Sequence, residues 1–591
     1  MQTREQVETK YKWDLSSYFE NEQQFEEALK ELDRTKDCLC RFENNLKTRE
    51  QIFECLLLSS KQSLLAGKLY VYSALVTKQD QGDSNAQERL ERVSNILTQI
   101  SANNSFVDVE LSALNNDFLL ELSNDKQYPQ FSEVFKSIIR EKQHTLSKAE
   151  ERLLSLMSDF TGGFSDNFDK FDDADLTFDD VVDKNGNKLP LNHANYQKYI
   201  YNSDRTLRKS TYQVMNGTYG KFNNFLASNY ISNTKLDVFS SKIRGFENCL
   251  QASMFYEEVD PKVYETLITQ VNNNLDKLQS YLKLKQKSLK QQDFGIYDLH
   301  APVSDFGKRY TYDQAFEIVK NATSVLGSEY TSLLQRAKDE RWIDVMPNKN
   351  KDSGAYSWGA YGALPVVSLN FVGDSNSMFT LAHELGHCMH TYFSNKNQPQ
   401  EKAGYTIFVA EVASTVNEML LCQYLLKNAQ TNQEKAYYCD YLLGTATATI
   451  FRQTEFSQFE KIIHDYAEKG LPLSKDILNK TYMDLQRKYY GKDVEQLPEM
   501  QYEWSRIPHF YNSFYVYKYA TGLISAMAIT KKILSGEKDA VQNYLKFLTL
   551  GCSLDPVKSL CIAGSDLTNP KTFQDGFEYM GEIVSYWESL H

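Results

Sequence analysis

From about Tyr18 to Leu156, apolar residues recur at three- and four-residue spacing, as in Phe53, Leu56 and Leu57, or Leu90, Val93, Ile96, Leu97 and Ile100. That period gathers them on one face of an α-helix and predicts a series of amphipathic helices in an antiparallel array. The spacing returns over Val263–Gln292, where Leu267, Val271, Leu275, Leu278 and Leu282 share a side, and over Tyr312–Trp342. Two stretches break it. Thr161–Leu191 carries Gly162-Gly163, the acidic cluster Asp172, Asp173 and Asp175, and then Asn185-Gly186 between β-capable runs, which predicts a hairpin. Between Asn348 and Asp374 lie Gly354, Gly359, Gly362 and Pro365, and the β-branched run Val366–Val372 predicts a strand. The expected organisation is an N-terminal helical domain ending in the hairpin, residues 1–195, and a second domain, residues 196–591.

Composition sharpens this picture. Only 26 glycines and 12 prolines punctuate 591 residues, which favours a mainly α fold over a sandwich or barrel. A hydrophobic share of 41% supplies an extensive core. The net charge of −13 argues against a nucleic-acid partner, because phosphate-binding faces concentrate Lys and Arg. The 9 cysteines are scattered, with no C-x-x-C pair, and read as reduced thiols. Met1 to Phe19 lacks the apolar stretch of a secretory signal, and no run approaches the roughly 18 apolar residues of a membrane span. No membrane partner is expected, and the expected location is cytoplasmic.

The candidate chemistry follows the predicted strand. Asp374 to Ser377 provide caps for a helix that contains His383-Glu384-Leu385-Gly386-His387, an H-E-x-x-H pattern. Histidines four apart lie about 6 Å from each other along a helix, so both imidazoles can reach one Zn²⁺ at about 2.0 to 2.1 Å. Glu384 stands beside them to handle a proton. The alternative is a helix with two hydrogen-bonded histidines and no metal. A catalytic zinc takes a third protein ligand and leaves a position for water. His390 lies about 10.5 Å along the axis from His383, too far to share that metal, and is expected to steady a ligand or to pack. A metzincin would have Gly at 390 and His at 393, where this chain has His390 and Phe393. Downstream, Glu411 and Glu418 share a stripe of a second predicted helix amid apolar neighbours, and a buried carboxylate there needs a cation or a partner. Glu411 fits the third ligand and Glu418 a group that orients a ligating histidine; two solvated carboxylates are the alternative. Ala410, Ala413 and Ser414 would let the two helices approach closely.

His383-Glu384-Leu385-Gly386-His387-Cys388-Met389-His390, followed by Glu411-x-x-Ser414 and Glu418, resembles the zinc signature of thimet-type oligopeptidases. Ser353–Tyr361, Arg506–Tyr511 and the opening Tyr11–Leu15 are similar to the oligoendopeptidase F branch, so the resemblance covers nearly the whole chain. It implies one Zn²⁺ per chain on His383, His387 and Glu411, with Glu384 as general base. It further implies that His509 stands over the scissile carbonyl and that a tyrosine stabilises the oxyanion. The gap after His509 is shorter than in thimet-type members, which leaves the tyrosine open; Tyr517 and Tyr511 rank ahead of Tyr515.

The activity so implied is endopeptidase hydrolysis of short unstructured peptides by zinc-activated water, within helical lobes that enclose a substrate channel. A small sheet is expected beside the active-site helix. A peptide would add as a strand to Val366–Val372, with Gly354, Tyr356, Ser368 and Asn370 contacting it and the glycines allowing a closing loop. A dipeptide-releasing carboxypeptidase of the same superfamily is the nearest rival activity, and a non-catalytic helical peptide-binding protein is the rival of another class. A monomer or small homo-oligomer is expected.

Overall fold

The computed structural model describes residues 2–304 and 307–590. Seven of its helices frame the candidate site and the cores beside it: α1 (Arg49–Gln79), α2 (Ser84–Asn104), α3 (Asn223–Ile243), α4 (Ser375–Asn397), α5 (Ile407–Asn428), α6 (Arg452–Glu468) and α7 (Tyr517–Leu534). Several helix starts fall where the sequence provides caps. Thr48 and Gln51 form a reciprocal capping box at α1, and the Asp83 carboxylate accepts the Asn85 and Ala86 amides at α2. The fold is mainly α, as the scarcity of breakers predicts.

The chain forms two compact units, each discontinuous in sequence. The first comprises Met1–Gln143, Gly307–Tyr424 and Lys532–Gly564; the second comprises His144–Phe306, Leu425–Lys531 and Ser565–His591. Residue 195, where the sequence suggests a boundary, lies within a continuous stretch of the second unit and inside the helix His193–Ile200.

The first unit contains a small three-stranded sheet of β1 (Ile343–Asp344), β2 (Tyr356–Trp358) and β3 (Val366–Ser368), in the order β1-β3-β2. β3 runs parallel to β1 and antiparallel to β2, with Tyr356 opposite Ser368. The predicted strand is therefore the central one. Its pairing with the chain after β1 continues past Ser368, through Leu369 N–H to Asp344 O at 2.8 Å and Phe371 N–H to Val345 O at 3.0 Å. Val366 belongs to the same buried cluster as Phe25, Leu69, Leu75 and Val93, so the N-terminal helices cover the sheet. Their three- and four-residue spacing serves this packing. Asp344 is inaccessible to solvent and bonds Arg4 and, at 2.6 Å, the Lys351 Nζ, which also reaches the Met346 and Leu369 carbonyls. This charged clamp ties β1 to the end of β3.

The second unit is built on large aromatics. Tyr230 of α3 packs with Phe459 of α6, Trp504 and Phe510. The hairpin predicted at Asn185-Gly186 is present, with Val181 opposite Leu189, and Gly186 takes the left-handed φ of 82° that its turn requires.

Candidate metal centre

Asp374 caps α4 by accepting the Ser377 amide at 2.8 Å, which sets where the helix starts and hence which face His383 and His387 share. The two Nε2 atoms lie 3.2 Å apart. Glu411 Oε2, on α5, lies 3.4 Å from His383 Nε2 and 3.5 Å from His387 Nε2. Tetrahedral ligands at about 2.0 to 2.1 Å from one zinc would stand roughly 3.3 Å apart, so all three separations fit that ion. The donor set, two imidazole nitrogens and one carboxylate oxygen, is also one that zinc accepts.

α4 and α5 can converge this closely because of Gly386. A Cβ at that position would lie 2.5 Å from Ser414 Cα and 2.7 Å from Ala413 O, so backbone meets backbone here. The small residues Ala413 and Ser414 complete the contact. Asn417 Nδ2 donates to Ala382 O at 3.1 Å, and Tyr330 OH donates to Asn417 Oδ1 at 2.9 Å, which fixes the register of the two helices.

Glu418 Oε1 lies 2.6 Å from His383 Nδ1, which holds a proton on Nδ1 and leaves Nε2 facing Glu411 and His387. Burial opposes protonation of His383, but the hydrogen bond and charge of Glu418 outweigh it and raise the imidazole to about 9. Burial also works against the Glu411 carboxylate, yet its hydrogen bond to His387 and the two imidazole charges hold it down at about 2. Ser414 Oγ donates to Glu411 Oε2 at 3.2 Å. Glu384 is 6% exposed, burial raises its carboxyl above the ordinary range, and its Oε2 has no hydrogen-bond partner among the described residues. Glu418→Gln, which weakens the hold on His383, is expected to lower zinc affinity about 10- to 100-fold, as competition with a chromophoric chelator would measure.

Other expected residues fall differently. His390 does not touch the triad: its ring stacks on Tyr405 at 3.8 Å and packs against Phe547, and burial lowers it to about 3. It is a core residue: two turns along α4 from His383, it lies beyond reach of the donors and packs between Tyr405 and Phe547. Ser368 is 1% exposed within the central strand, so β3 has no open edge for a peptide over Val366–Ser368. Asn370 Nδ2 is engaged by the Asp352 and Ser353 carbonyls at 2.9 and 3.0 Å, which ties down the loop holding Gly354. Tyr356 lies on β2, the edge strand. A cavity of about 200 Å³, bordered by Asn370, Val372, Asp374, Asn376 and Thr380, opens one helical turn before His383.

In the second unit, His509 is exposed and its Nε2 lies 3.5 Å from Tyr519 OH. Tyr515 and Tyr519 pack edge to face at 5.6 Å, and both rings neighbour that of His509. Tyr517 is instead inaccessible to solvent, its ring against Tyr264 and its OH 3.4 Å from Glu257. Tyr511 OH accepts Asn229 Nδ2 at 3.0 Å, and its ring packs on Phe168. The sequence pattern does not single out Tyr519, which the fold places beside His509; positions 515 and 519 share a helical face, and 517 faces away.

A helical fold in which an H-E-x-x-H helix and a neighbouring glutamate bring three such donors together is that of a zincin-type metallopeptidase. The family model for peptidase family M3 matches residues 198–579, and that for the oligopeptidase F N-terminal region matches residues 110–178. The chain belongs to peptidase family M3, and it is a metallo-oligopeptidase. It is 34% identical to oligopeptidase PepF of Bacillus subtilis, with 99% of this chain and 88% of that protein aligned. A crystal structure of a protein from Chlamydophila abortus matches with a TM-score of 0.94 at 32% identity, covering 100% of both chains. Oligoendopeptidase-F from Enterococcus faecium matches with a TM-score of 0.72 at 29% identity, covering 97% of this chain and 99% of that one. Among the described residues no helix is long and apolar enough to cross a membrane.

Proposed function

We propose that this protein is a zinc-dependent endopeptidase that hydrolyses internal bonds of short unstructured peptides in the cytoplasm, as a monomer or small homo-oligomer. The observation that carries this reading is the set of three donor separations between 3.2 and 3.5 Å with Glu384 adjoining them. Zinc held by His383, His387 and Glu411 would bring a water to a pKa near about 7 and polarise a peptide carbonyl. Glu384 accepts the water proton at its carboxylate and returns it to the leaving amine. His509 and the Tyr519 hydroxyl donate hydrogen bonds to the carbonyl oxygen as it gathers charge. This role for Tyr519 replaces the one expected of Tyr517, whose hydroxyl is taken by Glu257 in the core. The peptide main chain pairs with the edge strand β2, whose backbone reads no side chains, and broad specificity follows.

The test uses an internally quenched peptide with a free or an amidated C-terminus. Equal cleavage of both, at an internal bond, together with one zinc per chain and loss of hydrolysis that zinc restores after chelation, is the expected result. Cleavage only of the free form would identify a dipeptide-releasing carboxypeptidase, and activity in a zinc-free preparation would reject the mechanism.

A further inference from the structure

The segment that carries His509, Tyr515 and Tyr519 contains a strained residue. Phe514 adopts φ 59°, a left-handed conformation that a bulky side chain takes only when its surroundings enforce it. It stands between the short helix Pro508–Tyr511 and α7, where the chain reverses and brings Tyr515 and Tyr519 against the His509 ring. Three buried groups enforce it. Glu460 of α6, inaccessible to solvent, accepts the Phe514 amide on Oε1 at 3.1 Å. The Phe514 ring packs on His464 at 4.6 Å and on Tyr264 at 5.8 Å. The preceding residue is held too, with Ser513 Oγ donating to Asp237 Oδ2 at 2.7 Å and Ser253 Oγ donating to Ser513 O at 3.3 Å.

A carboxyl group on an aromatic core face is costly unless it has a task there. His464, one turn on, pairs with Asp237 at 3.2 Å, while among the described residues Glu460 forms no ion pair and its Oε2 has no hydrogen-bond partner. Its contribution is the single acceptor offered to the Phe514 amide. We propose that Glu460 is a positioning residue for peptide hydrolysis: by accepting the Phe514 N–H inside the core it locks the left-handed turn that sets Tyr519 and Tyr515 against His509. Burial, with Asp237 adding to it and His464 opposing, pushes the carboxyl up to about 8. Oε1 accepts the amide whether or not Oε2 holds a proton, so glutamine can reproduce the contact. Tyr230 and Tyr264 are the other titratable groups facing it.

The inference rests on the roles given above to His509 and Tyr519, and the experiment separates the two. In the zinc-loaded full chain, Glu460→Gln is expected to keep kcat within about threefold, and Glu460→Met, which lacks an acceptor, to lower it about 10- to 100-fold at nearly unchanged KM. In a background lacking both donors, His509→Ala with Tyr519→Phe, Glu460→Met should add less than about threefold, because its effect runs through those two groups. Amide hydrogen exchange over residues 509–519, read by mass spectrometry, should quicken in Glu460→Met and stay at the parental rate in Glu460→Gln. An effect of Glu460→Met that multiplies with the loss of both donors, or parental kcat and exchange in Glu460→Met, would overturn the proposal. A fully active His509→Ala would instead refute the role of His509, and the exchange measurement alone then decides whether Glu460 holds the turn. If the methionine variant does not fold, Glu460→Asp, one methylene shorter and withdrawn from Phe514, carries the same comparison.

Discussion

Glu384→Gln is expected to bind zinc within about threefold of the parent protein and to lose roughly 10³- to 10⁴-fold in kcat toward an internally quenched peptide. The substitution changes little else. Glutamine has the shape of glutamate, Glu384 is not one of the three converging donors, and its Oε2 has no hydrogen-bond partner among the described residues that the change would disturb. What is lost is the ability to take a proton. The same burial that leaves this oxygen unpartnered raises the carboxyl above the ordinary range, which makes it a stronger base than an exposed glutamate. Metal content measured beside turnover distinguishes the outcomes. A zinc-loaded Glu384→Gln protein with parental kcat would assign the base elsewhere, and a protein that had lost its zinc would show that the carboxylate serves the metal instead.

Gly386→Ala is expected to lower zinc affinity by at least about 100-fold and to destabilise the protein by about 2 to 4 kcal/mol, although it adds one methyl group to a helix. On helix propensity alone, alanine in place of glycine would stabilise by up to about 1 kcal/mol. The tertiary contact reverses the sign. The new Cβ would stand 2.5 Å from Ser414 Cα and 2.7 Å from Ala413 O, and neither is the end of a side chain that could swing aside. α4 and α5 must therefore part. Two donors sit on one helix and Glu411 on the other, so parting them opens the separations of 3.4 and 3.5 Å on which a shared ion depends. Gly67→Ala is the control: it lies mid-helix in α1 with nothing beyond its own helix backbone within 4 Å of its added Cβ, and it should be neutral or slightly stabilising. Urea unfolding and chelator competition on both variants make the comparison. Parental stability and zinc content in Gly386→Ala would show that the helices tolerate separation.

The legibility of the site divides along the chain. His383 and His387 are four residues apart on one helix, and Glu411 and Glu418 seven apart on the next, so helical geometry alone gave their faces. The same local geometry does not sort the tyrosines, because a run at 515, 517 and 519 looks uniform until something shows which face is core. Tyr264 and Glu257, both more than 200 residues away, make that choice by holding Tyr517. His390 likewise shares an apparent stripe with the ligands until Tyr405 and Phe547 claim it.

By itself the sequence determined the mainly helical fold, the hairpin at Asn185-Gly186, the residue types able to hold zinc and the carboxylate between the two histidines. Each of these depends on spacing within a few turns of chain, where backbone geometry is the same in any helix or tight turn. Only the tertiary structure decided that β3 is central and closed to a peptide, that Gly386 sets the approach of two helices, that the three donors stand one ion's width apart, and that a buried glutamate holds Phe514 in a left-handed turn. Those outcomes depend on which distant segments pack together, and packing is set by the summed fit of many side chains, which no local pattern encodes.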